Sequence, residues 1–130
     1  MAIKKAWDMV KEATAEIETV APADAIARMS DEDFLLVDIR DPRELDREGR
    51  IPGALHAPRG MLEFWVDPAS PYYKPVFGEG KKYVFFCAAA GRSALAVKTL
   101  QDMGMENIAQ LGDGFKGWKE AGGPVEMKEK

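Results

Sequence analysis

The chain has 130 residues but a single cysteine, Cys87, and a single histidine, His56. One cysteine excludes an internal disulfide, a thiolate zinc cluster and an internal resolving thiol. With His56 as its one other soft ligand, the sequence implies no metal, and nothing in it implies an organic cofactor. Long apolar runs are also missing. None approaches the ~18 residues of a membrane-crossing helix, so no membrane association is expected. The start, Met1-Ala2-Ile3-Lys4-Lys5-Ala6-Trp7-Asp8, has neither a long apolar core nor a clear cleavage site, so no signal peptide is expected. A reducing cytoplasm is then the default location, and it would keep Cys87 available. A basic excess is lacking too: Lys and Arg number 18 against 22 Asp and Glu, for a net charge of −4. That balance does not suggest nucleic acid as a partner.

What is present reads as one soluble domain with a real core, 46% hydrophobic and 31% charged. Ile3, Trp7, Val10 and Thr14 recur at helical spacing and predict an amphipathic helix, packed on its own domain or on a second subunit. Ile17-Glu18-Thr19-Val20 alternates like a short strand. Pro22 opens a helix running to about Met29. Phe34-Leu35-Leu36-Val37-Asp38 is an unbroken apolar run ending in an acid, as a strand buried on both faces requires. Residues 42–48 read as a charged helix, and Ala54-Leu55-His56-Ala57 as a short strand. Tyr83-Val84-Phe85-Phe86 is the next strand, with a helix expected over 93–103 and Gly104 beyond its end. Asn107-Ile108-Ala109-Gln110-Leu111 is the last strand, and a short helix surrounds Trp118. The order predicts an α/β fold with a mainly parallel sheet. Ligands then bind beyond the carboxyl ends of strands, where both Asp38 and Cys87 fall.

Cys87 ends a buried strand and opens the loop Cys87-Ala88-Ala89-Ala90-Gly91-Arg92, just before a helix. Backbone N–H groups converge at such a point and favour an anion. A thiolate is an anion, and so is a persulfide. The three alanines add no bulk, and Gly91 permits a positive φ, so the loop can wrap its amides around one centre. A helix N-terminus and a nearby cation both favour the thiolate, and Arg92 is that cation. The competing reading makes Cys87 a small buried hydrophobe.

Three blocks resemble the rhodanese (sulfurtransferase) family, from about Glu18 to Val125. The first is Leu36-Val37-Asp38-Ile39-Arg40-Asp41-Pro42-Arg43-Glu44 with Gly49-Arg50-Ile51-Pro52-Gly53-Ala54. The second is Cys87-Ala88-Ala89-Ala90-Gly91-Arg92-Ser93. The third is Gly112-Asp113-Gly114-Phe115, Trp118 and Gly122-Gly123-Pro124-Val125. The resemblance implies a three-layer fold with a five-stranded sheet flanked by helices. It divides the chain into an N-terminal helical extension (1–15), one rhodanese-like domain (16–127) and a frayed tail (128–130). It also implies Cys87 as the sulfur-carrying nucleophile, with the amides of Ala88, Ala89, Ala90, Gly91 and Arg92 holding the persulfide. Sulfane sulfur would pass from thiosulfate or another persulfide donor to cyanide, a thiol or a protein. The loop of six residues is one shorter than in the related cell-cycle phosphatases, which favours sulfur over phosphate. The triple alanine departs from the polar or cationic loops of efficient thiosulfate enzymes and weighs against thiosulfate as a good substrate. A relay module that passes sulfur to a protein partner is the alternative. Monomer and homodimer both remain open.

Asp38, Arg40 or Glu44 is expected to orient Arg92 or brace the rim, against a purely structural ion pair for Asp38. His56 and Trp118 read as structural. Residues 61–77 are the candidate for substrate or partner selection, with Trp65, Tyr72, Tyr73 and Phe77 as wall or interface.

Overall fold

The two apolar runs form the central strands of the sheet, β2 (Phe34–Asp38) and β4 (Lys82–Phe86). The structure, a computed structural model, describes residues 2–127. The expected tail at 128–130 lies outside the described residues. Three shorter strands flank the central pair: β1 (Thr19–Val20), β3 (Leu55–His56) and β5 (Ile108–Leu111). The order is β1-β5-β4-β2-β3, and every pairing is parallel. The helices are α1 (Ala6–Glu16), α2 (Pro22–Arg28), α3 (Pro42–Glu48), α4 (Leu62–Val66), α5 (Gly91–Asp102) and α6 (Gly114–Glu120).

Strand alternation divides the core into two layers. Val37, Ile39, Tyr83, Phe85 and Cys87 face Ala96, Val97 and Leu100 of α5. Phe34, Leu36, Val84 and Phe86 face Ala25 of α2 and Phe115 and Trp118 of α6. Trp118 is fully buried, and its Nε1 donates to the carbonyl of Pro124 at 2.8 Å. Asp38 pairs with Phe86 across the sheet, so the ends of β2 and β4 lie side by side.

Three local expectations need correction. Helix α5 begins at Gly91, two residues before the expected Ser93, which puts Arg92 inside its first turn. Gly91 is absent from the positive-φ residues; its lack of a side chain serves close approach instead, since a Cβ there would lie 3.0 Å from the Trp7 indole. Helix α1 packs along α5 of its own domain, one of the two expected arrangements, but its buried residue is Ala13, and the apolar stripe stays largely exposed apart from the Trp7 ring against Gly91. Ile3 is 95% exposed and Trp7 71% exposed. The small Ala13 lets the two helices approach. Lys98 Nζ to Glu16 (2.9 Å) and Gln101 Nε2 to the Glu16 carbonyl (3.0 Å) fasten the end of α1.

Residues 58–80 pack as a small substructure. Leu62 and Phe77 enter the core on the α5 side, with Trp65, Val66 and Val76 against it. Phe64 and Tyr72 remain exposed, edge to face at 6.4 Å.

Candidate active site

The chain leaves β4 through Cys87 and turns over residues 88–90 into α5. Cys87 is 1% exposed. Among the described residues, no amide of residues 88–90 donates to a backbone carbonyl. The first bond of the helix runs from Ala94 N to Ala90 O (3.2 Å), so the amides of Gly91, Arg92 and Ser93 precede the intrahelical ladder. The turn around Cys87 is therefore a cluster of uncommitted N–H groups at a helix N-terminus, an environment suited to an anion.

The loop is clamped from behind. Phe115 N donates to Cys87 O at 2.8 Å, and Lys116 N to Ala88 O at 3.1 Å. This contact needs Gly112-Asp113-Gly114 to bend sharply, with positive φ at Asp113 (55°) and Gly114 (56°). A Cβ on Gly114 would press on the carbonyl oxygens of Ala89 and Cys87, the latter at 2.5 Å. The third sequence block thus fixes the loop of the second.

Beneath the loop runs a buried polar chain. The Cys87 thiol donates to Ser93 Oγ at 3.6 Å. Ser93 Oγ donates to Gln110 Oε1 at 2.9 Å, and Gln110 Nε2 donates to Thr19 Oγ1 at 3.2 Å. Ser93 Oγ also lies 3.3 Å from the Ala90 carbonyl, a second acceptor for the same proton.

Of the three residues expected to serve Arg92, Glu44 does so. Its carboxylate accepts two bonds from the Arg92 guanidinium, at 2.7 and 3.0 Å, a bidentate fork. The guanidinium holds the Glu44 carboxyl below its usual range against the opposing effect of burial. Arg92 is raised, first by Glu44 and to a lesser extent by Cys87 beside it. Glu44 is placed by the start of α3, where Asp41 and Glu44 form a reciprocal capping box after Pro42.

Asp38 and Arg40 do not reach Arg92. Both follow Leu36 at even spacing, so alternation sends them to the opposite face of the sheet from Cys87. There they form a fully buried pair: Arg40 Nε and Nη2 donate to Asp38 at 3.0 and 2.8 Å, and Nη2 also reaches the Gly49 carbonyl at 2.9 Å. The guanidinium lies over the Phe115 ring, 4.2 Å from its centre. His56 Nε2 donates to the Arg40 carbonyl at 2.7 Å. These residues brace the strand end from behind.

A cavity of about 360 Å³ opens onto Cys87, lined by Ala6, Trp7, Val10, Cys87, Ala88, Ala89, Gly91, Arg92 and Leu95. Residues 61–77 do not line it. The wall comes instead from α1, whose apolar stripe reads in the sequence as a packing face. Sequence reasoning also missed Ser93, Gln110 and Leu95; their roles depend on the register of β5 beside β4 and on the helix phase. Among the described residues, no three Cys, His, Asp or Glu side chains converge to hold a metal ion. No described helix is long and apolar enough to cross a membrane.

A family model described as rhodanese-like domain matches residues 21–121. A solved protein of unknown function from Rhodopseudomonas palustris, described as a possible tyrosine phosphatase, is 52% identical; the match covers 97% of both chains with a TM-score of 0.91. The polysulfide-sulfur transferase homodimer of Wolinella succinogenes is 32% identical, over 94% of this chain and 87% of that one, with a TM-score of 0.70. A sulfurtransferase of Allochromatium vinosum is 31% identical over 78% of this chain and 88% of its own length. Of other curated relatives the chain spans 55%, 60%, 39% and 43% of the length.

Proposed function

The chain belongs to the rhodanese-like domain family, and from that premise we propose that it is a sulfurtransferase carrying sulfane sulfur on Cys87. The observation that supports this most is the buried Cys87 sulfur set inside a turn of uncommitted amides at the start of α5. In the first half-reaction the Cys87 thiolate attacks the outer sulfur of a donor such as thiosulfate. The sulfur–sulfur bond of the donor breaks, and its electron pair leaves on sulfite. The outer sulfur stays on Cys87 as a persulfide anion, which the amides of residues 88–92 stabilise. In the second half-reaction an acceptor (cyanide, a thiol or a protein persulfide carrier) takes that sulfur and restores the thiolate. Glu44 keeps the Arg92 guanidinium at the cavity mouth as a positioning residue. Asp38 and Arg40 support the strand end without touching substrate.

A phosphatase is the second reading, favoured by the description of the R. palustris protein. Against it stands the loop from Cys87 to Arg92, six residues long where the related cell-cycle phosphatases have one more. The shorter ring leaves less room for a tetrahedral phosphate.

Intact mass after incubation with thiosulfate or with a cysteine persulfide tests the proposal. Wild type is expected to gain one sulfur atom that cyanide removes, and Cys87→Ser to gain none. No gain with either donor, together with hydrolysis of p-nitrophenyl phosphate, would replace sulfur transfer by the phosphatase reading.

A further inference from the structure

We propose that the cavity at Cys87 selects sulfur donors whose non-transferred end is an apolar group of aryl or branched-alkyl size, and that Trp7 is the specificity-determining residue. The inference rests on the sulfur-transfer reading and deepens it.

Three observations lead there. First, the side chains facing the cavity are nearly all apolar: Trp7 and Val10 from α1, Leu95 from α5, and the methyl groups of Ala88 and Ala89. Its volume of about 360 Å³ exceeds what a bare sulfur transfer needs and lies in the range of small-molecule sites. Second, the one cation among the lining residues, Arg92, is already engaged by the Glu44 carboxylate through two hydrogen bonds. A compact dianion such as thiosulfate therefore meets a cation whose charge is largely balanced. Third, Trp7 is held at the mouth although it contributes little to the core. It is 71% exposed, yet its ring sits 3.0 Å from where a Gly91 Cβ would be, so the bare Gly91 backbone seats it. With Val10 and Leu95 it forms one continuous apolar side of the cavity that opens onto Cys87. Helix α1 also lies wholly before residues 21–121, the part that the family model matches.

The step it serves is balanced without any oxidant or reductant. With an organic thiosulfonate R–SO2–S⁻, the Cys87 thiolate attacks the outer sulfur. The bond between the two sulfurs breaks, the electron pair departs on the sulfinate R–SO2⁻, and Cys87 keeps the outer sulfur as a persulfide. The R group occupies the space between Trp7, Val10 and Leu95.

The test compares benzenethiosulfonate, methanethiosulfonate and thiosulfate as donors, reading sulfur loading of Cys87 by intact mass and kcat/KM with cyanide as acceptor. The two thiosulfonates share charge and reacting sulfur and differ in the apolar group. Their intrinsic reactivities cancel when the benzene-to-methane ratio of wild type is divided by that of a variant. That quotient is expected to be about tenfold for Trp7→Ala, the scale on which an apolar pocket discriminates. Trp7→Phe should keep most of the wild-type ratio. The circular dichroism spectrum of Trp7→Ala should match that of wild type, which shows that the site remains folded. Loading that proceeds normally with the same ratio in wild type and Trp7→Ala would overturn the assignment of Trp7 and leave sulfur transfer standing. No loading from any of the three donors would remove the sulfur-transfer reading, and this inference with it.

Discussion

Gly114→Ala should damage both the fold and the site, and the cost follows from two separable effects. The residue has a φ of +56°, a conformation that costs an L side chain about 1–2 kcal/mol. The added methyl would also meet the carbonyl oxygens of Ala89 and Cys87. These are backbone atoms of the loop and cannot swing aside as a side-chain tip would, so about 1–3 kcal/mol of overpacking is added. Relief by moving α6 away would stretch the bonds from Phe115 N to Cys87 O and from Lys116 N to Ala88 O, each worth about 1 kcal/mol. A loss of about 3–5 kcal/mol is expected, several times the cost of an ordinary surface change. Gly80→Ala is the control. Its φ is +72°, but a Cβ there meets nothing within 4 Å, so it carries the backbone strain alone. Thermal unfolding followed by circular dichroism should place Gly114→Ala well below Gly80→Ala, by roughly 5–15 °C. Sulfur loading of Cys87 should slow in Gly114→Ala and be unchanged in Gly80→Ala. Equal melting temperatures for the two variants would refute the claim that the third sequence block clamps the Cys87 loop.

Asp38→Asn should destabilise the protein by about 3 kcal/mol in urea unfolding, because it leaves the buried Arg40 guanidinium with only the more distant Glu48 carboxylate, 3.9 Å from Nη1, as counter-charge; the rate of Cys87 loading in the fraction that remains folded should not change, and a selective rate loss would put Asp38 back into the site. Glu44→Gln should raise KM for a persulfide donor more than it lowers kcat, because Arg92 loses its fork but stays at the mouth; an unchanged KM would remove Glu44 as a positioning residue. The folded-state carboxyl of Glu44 lies below its ordinary value of 4.5, so the Glu44–Arg92 pair contributes above that pH and is lost as pH falls through the depressed folded-state value. Wild type and Glu44→Gln should therefore still differ at pH 4.5 and converge only as the pH falls through the depressed folded-state value, and convergence already above pH 4.5 would contradict the pairing.

Features with a local cause were legible in the sequence. The strand at 34–38 and the helix at 42–48 appear where their residues predict them, because an apolar run and an Asp-Pro start followed by Glu44 decide those conformations on the spot. The Cys87 loop is legible for the same reason. Long-range placement was less so. Asp38, Arg40 and Glu44 lie within one motif, yet only strand alternation and the turn into α3 determine which of them faces Arg92. The stripe Ile3, Trp7, Val10 and Thr14 suggests a core-facing helix, but the residue of α1 that is buried is Ala13, too small to weigh in a hydrophobic pattern. The clamp from Gly114 onto Cys87 joins positions far apart in the chain and leaves no local mark beyond glycines of uncertain purpose.

In the function proposed above, the site separates chemistry from discrimination for a physical reason. Its anion cradle is built of main chain: the amides of residues 88–92 in front and the Phe115 and Lys116 bonds behind. Main chain packed this closely tolerates almost no added volume, as the crowding around Gly114 makes plain. Such a cradle can recognise a sulfur anion but cannot be reshaped to distinguish one donor from another. Selectivity has to come from elements that meet the cavity only through side chains, and α1 is such an element. It is fastened to α5 by Ala13 and by the contacts of Glu16, while Trp7 and Val10 border the cavity nearer its start. Exchanging Trp7 and Val10 leaves the contacts of Glu16 and the hydrogen bonds that hold the Cys87 loop in place. A helix attached in this way lets substrate preference change while the sulfur-binding turn stays as it is.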